Sequence, residues 1–264
     1  MKRGSALPIL YKIESTHWWT RGMRACTLAM LTAAGWDGAG DVLDVGCGAG
    51  HLSLAMARYA DQVTALDPST GMLDTVRAAA TRQGLAQVST TCAQAEHLPF
   101  GEATFDLVCS RYSAHHWLDL DAALTDMHRV LQPAGHIMLI DIAGHENALV
   151  DTHLQTMELL RDRSHVRNRS LSQWRDVLTR HGFEILHHTT WATRIDFTSW
   201  VSRMRTAPDR VAMLRTLQAE APQEVRQALQ IEPKHAQARY FLAKTLLADR
   251  RLDEAAAEYR IAVD

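Results

Sequence analysis

Along residues 41 to 142, short apolar runs alternate with stretches whose apolar residues recur at helical spacing. The runs "DVLDVG" (41–46), "QVTALD" (62–67), "QVSTTCAQ" (87–94), "TFDLVCSR" (104–111) and "HIMLIDI" (136–142) have the length and content of buried strands. Between them, 51–60, 71–84 and 120–135 repeat apolar positions at three and four residues and predict helices. Gly84 closes the second of these helices; Pro133 and Gly135 stop the third. An earlier helix, "HWWTRGMRACTLAMLTAAG", ends near Gly35. Strands that alternate with helices make βαβ units. The expected fold is therefore α/β: a mostly parallel sheet with helices on both faces.

Past the fifth strand the pattern changes. Helices are predicted over 146–163 and over 170–182, the latter with a Ser N-cap and a Gly stop. "FEILHHTTW" (183–191) reads as a sixth strand. His187 and His188 within it face opposite sides, so they do not share one ion. From 198 onward the chain reads as helical.

Charge narrows the range of functions. The net charge is −2, so nothing draws the whole chain to nucleic acid or to an anionic membrane. The one basic run, "RDRSHVRNR" (161–169), reads as a solvated face. None of Cys26, Cys47, Cys92 and Cys109 has C-x-x-C spacing, so zinc and dithiol chemistry are not indicated. No apolar run approaches a membrane span and the start lacks a signal-peptide core, which gives a cytoplasmic enzyme as the expectation.

The strongest chemical signal is "VLDVGCGAGHLSLA", a strand, a loop with Gly46, Gly48 and Gly50, and then a helix. Glycines let a backbone turn sharply and come close to a ligand. The dinucleotide fingerprint is G-x-G-x-x-G. Here the third glycine arrives one residue early, which argues against a nicotinamide oxidoreductase, and Asp44 stands two residues before the first glycine.

This D-x-G-x-G-x-G form resembles motif I of the class I S-adenosylmethionine (SAM) dependent methyltransferases, which have a Rossmann-like fold. Asp67 at the end of the second strand, "AQAEHLPF" (93–100) and "LQPAGHIMLID" resemble further motifs of that family in the expected order. "HWWTRGMR", "VTALDPSTGML", "SRYSAHHW" and "FTSWVSRMRTAP" are similar to a bacterial subgroup related to the ubiquinone/menaquinone-biosynthesis type. Ala93 and Gln94 depart from the Gly and Asp common there. The resemblance implies SAM as cofactor, S-adenosylhomocysteine as product, and methyl transfer to a small molecule by in-line displacement. O-, N- and C-methylation stay open. It also implies roles by position. Asp44 would hold the methionine end, and Gly46, Cys47, Gly48 and Gly50 would supply backbone surface. Asp67 would bond the ribose hydroxyls, with Pro68 and Met72 packing near ribose and adenine. Gln94 and Ala95 would meet the adenine edge, and Ser110 and Arg111 would lie beside the transferring methyl.

"SRYSAHHW" leaves the fourth strand at the edge where such sheets bind ligands. His115 and His116 are candidates for a general base, for pocket lining or for packing. Tyr112 and Trp117 are candidates for lining the acceptor pocket or for the core. No metal is expected, since adjacent side chains diverge and no third ligand is evident. A nucleic-acid acceptor is disfavoured because "SRYS" stands where an N/D-P-P-Y/F tetrad would be.

The expected organisation is a methyltransferase domain over 1–227, with its core at 41–142 and substrate or lid elements at 1–40 and 143–227. Trp18 and Trp19 belong to the first of these. Residues 228–264 resemble a tetratricopeptide repeat, with Pro233 opening it, "HAQARYFLAKTLLAD" as one helix and "LDEAAAEYRIAV" as the next. This implies a TPR-like helical extension that docks on the sheet edge or is partly mobile, and through which protein contact is possible. Two expectations about the sheet follow: it lacks a seventh strand, or "TWATRIDF" (190–197) contributes more strand. A second function class also stays open, a non-catalytic SAM-binding domain acting as an interaction module through its helical tail.

Overall fold

The structure is a computed structural model that describes residues 36, 38–186, 188–229 and 237–244. Seven strands form one sheet. They are β1 (Asp41–Val45), β2 (Gln62–Leu66), β3 (Val88–Thr91), β4 (Phe105–Arg111), β5 (Leu131–Ile142), β6 (Thr189–Asp196) and β7 (Gln237–Lys244), in the order β3-β2-β1-β4-β5-β7-β6. The first five run parallel; β7 is antiparallel to both β5 and β6. The helices are α1 (His51–Met56), α2 (Thr70–Gln83), α3 (Leu120–Val130), α4 (Ala148–Arg161), α5 (Leu171–Arg180), α6 (Phe197–Arg203), α7 (Pro208–Ala219) and α8 (Gln223–Leu229).

The sheet is apolar on both faces because alternate strand residues point to opposite sides. Leu43, Val45, Leu66 and Val108 face one way and pack with Leu124, Met127 and Val130 of α3 and with Trp174 and Val177 of α5. Val42, Val63, Leu107 and Cys109 face the other way, against Trp36, Leu52 and Met56. A third core joins Val150, Leu154 and Met157 of α4 to α6, α7 and α8. Local chemistry sets the helix ends. Gly84 ends α2 in the left-handed conformation at φ 67°. Ser170 and Gln173 form a capping box that starts α5.

Three expectations are corrected. The helix expected over 120–135 stops at Val130, because Pro133 cannot donate in a helix and turns Gln132 away from helical backbone. The residues that follow begin β5, with a register shift between Phe105↔Leu131 and Leu107↔His136. The sixth strand is 189–196 rather than 183–191. Phe183 and Ile185 pack against the first core, so the apolar alternation there serves packing and not pairing. "TWATRIDF" therefore does contribute more strand.

The third correction concerns the tail. Residues 237–244, expected within a repeat helix, form β7 inside the sheet. All eight of its residues pair with β6, from Thr189↔Lys244 to Asp196↔Gln237, and its last three also pair with β5. Two open rows of backbone groups outweigh the helical spacing of "QARYFLAK". A contact surface built on that helix is withdrawn. The second expected repeat helix, the N-terminal helix with Trp18 and Trp19, Cys26 and His187 lie outside the described residues. Among the described residues no helix is long and apolar enough to cross a membrane.

Candidate active site

The loop after β1 folds over the end of β2. The Gly46 and Cys47 amides donate to Leu66 O at 2.8 and 2.9 Å. The Gly48 amide donates to Asp67 Oδ2 at 2.9 Å, and the Ser69 amide to Asp67 Oδ1 at 2.8 Å. Asp67 thus fixes two loops at once. Gly46, Gly48 and Gly50 all have positive φ, at 70°, 51° and 80°. Two of them leave no room for a side chain. A Cβ on Gly46 would sit 1.7 Å from Ser113 Oγ, and one on Gly50 would sit 2.8 Å from Val76 Cγ2. At Gly48 a Cβ would meet nothing within 4 Å, so the loop opens outward there. Burial pushes the Cys47 thiol well up, so it stays neutral and its contribution is backbone.

Asp44, at the end of β1, is 1% exposed. Ser53 Oγ donates to its Oδ2 at 2.5 Å, while Oδ1 has no partner among the described residues. Burial raises the Asp44 carboxyl to about 6, against the opposing pull of the Ser53 hydrogen bond and the Arg111 charge. Ser110, near the same end of the neighbouring strand β4, is also buried, and its Oγ has no partner among the described residues. Arg111 lies over the Tyr112 ring at 5.4 Å. Tyr112 has φ 55° and packs against the second core.

Pro68 is exposed and Met72 half-buried. Gln94 is exposed and its carbonyl accepts from the His97 amide at 3.2 Å. The segment it opens is clamped from α3: the Leu98 amide donates to Asp126 Oδ2 at 2.5 Å, and Arg129 donates to Phe100 O and Leu98 O at 2.7 and 3.0 Å. Ala95 and Trp117 are packed into the first core, which accounts for both side chains without a ligand. Trp117 Nε1 donates to Ser113 Oγ at 3.1 Å, the hydroxyl that stands over Gly46.

A single 3-10 turn at Ala114–His116 follows β4 and carries the histidine pair. The two differ sharply. His115 is buried. Its amide donates to Asp141 Oδ2 at 2.9 Å, and its Nδ1 lies 2.6 Å from Asp141 Oδ1. A carboxylate only accepts, so the proton is on Nδ1 and Nε2 carries the lone pair of the neutral ring. Burial pulls the imidazole down, but the Asp141 charge and hydrogen bond and the Glu158 charge overcome it, and the net shift is upward. His116 bonds Ser164 O through Nδ1 at 3.0 Å and is held below the ordinary histidine value by burial and by His115. The run 161–169 is not a solvated face. The Val166 and Arg167 amides donate to His115 O at 2.8 and 3.1 Å, and His165 is buried with its ring 5.8 Å from that of His115. Among the described residues no three His, Cys, Asp or Glu side chains group as a metal site.

The methyltransferase-domain family model matches residues 43–139, from β1 into β5. An uncharacterized protein of Escherichia coli, YafE, is 39% identical over 177 residues, covering 67% of this chain and 86% of that protein. The uncharacterized methyltransferase YcgJ of Bacillus subtilis is 33% identical over 185 residues, or 70% of this chain and 73% of its own. Its crystal structure superposes with a TM-score of 0.73 over 88% of this chain and all of that one, at 27% identity. The chain belongs to the class I SAM-dependent methyltransferases. A ubiquinone/menaquinone biosynthesis C-methyltransferase of Saccharophagus degradans is 33% identical over 114 residues, 42% of this chain and 46% of that protein.

SAM is the cofactor of this methyltransferase, and the residues present fit it. Asp44 Oδ1 and Ser110 Oγ are buried polar atoms without partners among the described residues, at the C-terminal ends of the neighbouring strands β1 and β4. A buried polar atom left unpaired is costly, and the cationic methionine end of SAM suits a carboxylate. The glycine cradle is open at Gly48. The fold brings together Asp44 to Gly50, Asp67 to Met72, and Ser110 and Arg111 at the C-terminal ends of β1, β2 and β4. Sequence reasoning missed Ser53, Ser113 and Asp141. An acid ending a buried strand at the ligand edge was the available signal for Asp141. Nothing local marks the two serines.

Proposed function

We propose that this methyltransferase acts on a small-molecule acceptor and that His115, held by Asp141, is its general base. The observation that carries the reading is the buried His115–Asp141 pair, with Nδ1 2.6 Å from Oδ1, on the turn whose first residues lie over the glycine loop. When bound, SAM supplies a methyl group carried on a sulfonium. Asp44 would hold its methionine end, Asp67 its ribose hydroxyls, and Gln94 its adenine amino group, with Pro68 and Met72 beside the ring. Ser110 and Arg111 would border the methyl. Asp141 orients the imidazole and stabilises its protonated form, leaving His115 Nε2 to take a proton from the acceptor oxygen, nitrogen or carbon. The raised basicity of His115 suits that task. His116, engaged at Nδ1 by Ser164, would line the rim, and Tyr112 the side near Arg111. The likeness to the quinone-biosynthesis enzyme spans less than half of either chain; it supports that broad subgroup without carrying over its acceptor. The non-catalytic reading rested on a helical tail, and 237–244 is strand.

The test is transfer of label from methyl-labelled SAM in the presence of a fractionated small-molecule extract. Label should move to a small molecule. Label found only in protein or nucleic acid, or none leaving SAM, would refute the reading.

The Asp44 carboxyl gives a second expected result. Its value in the free protein is raised to about 6, and a cationic partner favours the ionised form. Binding therefore needs the proton off and weakens as pH falls through that value. S-adenosylhomocysteine affinity by calorimetry should drop about tenfold per pH unit below about 6, and Asp44→Asn should bind weakly with a flat profile. Equal affinity of the unaltered protein at about pH 5 and about pH 8 would exclude this role for Asp44.

A further inference from the structure

The histidine turn and the 162–170 segment enclose polar chemistry that the base does not use. α4 has two inward faces. Val150, Leu154 and Met157 face the third core, while Asp151 meets Arg167 and Gln155 meets His165 and Asn168 of the 162–170 segment; Glu158 Oε2 accepts from Arg161 at 2.8 Å. Gln155 is the hub. Its Nε2 donates to Asp151 Oδ1 at 3.0 Å and to Asn168 O at 2.7 Å, both acceptors only. Its orientation is therefore fixed, and Oε1 must be the atom that receives the Asn168 amide at 3.0 Å and meets His165 Nε2 at 2.9 Å. His165 Nε2 consequently carries a proton. Burial, then the charges of His115 and His116, lower this imidazole to about 4, so the ring is neutral and Nδ1 holds a lone pair.

Among the described residues that lone pair is buried and unpartnered, and so are three atoms of Asn168 and Glu158. Asn168 is 1% exposed and Glu158 2% exposed, and Asn168 Oδ1 and Nδ2 and Glu158 Oε1 have no bond to any described residue. Native proteins rarely leave such atoms empty, because each one costs free energy until it is met. Three of these atoms belong to the two residues bonded to Gln155, and the fourth to Glu158, whose charge acts on the proposed base; together they mark a compartment completed by something that binds. The residues also select its chemistry. A hydrocarbon satisfies none of them. A carboxylate would face Glu158 and the lone pair of His165. A hydroxyl can donate to His165 Nδ1 while accepting from Asn168 Nδ2.

We propose that Asn168, His165 and Glu158 form the polar end of the acceptor pocket and receive an uncharged hydroxyl group of the methyl acceptor. Gln155 is the positioning residue that sets the His165 tautomer. This rests on reading the His115 side as the acceptor side. The probe is phenol, with toluene as the same shape lacking the hydroxyl, each titrated into full-length protein labelled with nitrogen-15 at histidine and saturated with S-adenosylhomocysteine. Phenol should shift the His165 Nδ1 resonance and toluene should not. Asn168→Leu should weaken phenol binding about tenfold, the loss of one hydrogen bond, while keeping S-adenosylhomocysteine affinity and raising the melting temperature. No phenol-specific shift, or a lower melting temperature in Asn168→Leu with phenol binding unchanged, would overturn the proposal and leave ordered water completing the network. Absence of S-adenosylhomocysteine binding in the unaltered protein would instead strike the methyltransferase reading itself.

Discussion

Gly46→Val is expected to abolish measurable S-adenosylhomocysteine binding, whereas Gly48→Ala should fold well and lose affinity only through the ligand. A side chain at 46 would collide with Ser113, its first carbon 1.7 Å from Oγ and 2.5 Å from Cβ. Ser113 cannot yield cheaply, because Oγ accepts from Trp117 Nε1, which is locked in the core. The φ of 70° adds a left-handed penalty of about 1–2 kcal/mol, and the broken hydrogen bond about 1–3 kcal/mol. The loop, the histidine turn or both must then move. At Gly48 the added methyl enters open space, so only the left-handed penalty falls on the fold. A well-folded Gly48→Ala protein that bound the cofactor normally would show that no ligand approaches the loop there. Calorimetry together with thermal melts separates the two variants.

His115→Ala should lower turnover by roughly a hundredfold to ten-thousandfold, the range set by a positioned general base, and leave S-adenosylhomocysteine affinity unchanged. His116→Ala should cost far less, since its Nδ1 is taken by Ser164 O and its side chain is 33% exposed at the rim. Asp141→Asn keeps a side chain of similar shape but removes the charge that supports the imidazolium and blurs the Nδ1 tautomer. It should lower turnover in the same direction as His115→Ala. Full turnover in His115→Ala on the acceptor found by label transfer would reduce the pair to packing.

The cofactor half was legible because its chemistry is local. "LDVGCGAG" puts an acid, three positive-φ glycines and a helix start within a few residues, and strand–helix alternation places them at a sheet edge. The proposed acceptor half is assembled from distant segments. His115 meets Asp141 across 26 residues, and the 162–170 segment closes on both. "RDRSHVRNR" looks solvated by composition, yet His165 and Asn168 are buried because two of its backbone amides bind His115 O. The tail misled for a related reason. Its helical spacing is a local property, whereas the open side of β5 and the whole of β6 are pairing partners that no local pattern reveals. Likewise "FEILHHTTW" alternates like a strand, but Phe183 and Ile185 use that alternation against the first core.

The central claim is that Asp141 makes His115 the base of a SAM-dependent methyl transfer. The measurement that bears on it most directly is kcat/KM against pH with the small molecule that takes the label, for the unaltered protein and for Asp141→Asn. A base acts only when unprotonated, and Asp141 and Glu158 together hold the His115 imidazole above its ordinary value. The rate should therefore fall as pH drops, with a midpoint above that of a free histidine at about 6.5. In Asp141→Asn the midpoint should move to lower pH and the plateau should drop. A profile without that inflection, or one whose midpoint ignores the loss of the Asp141 charge, would contradict the account.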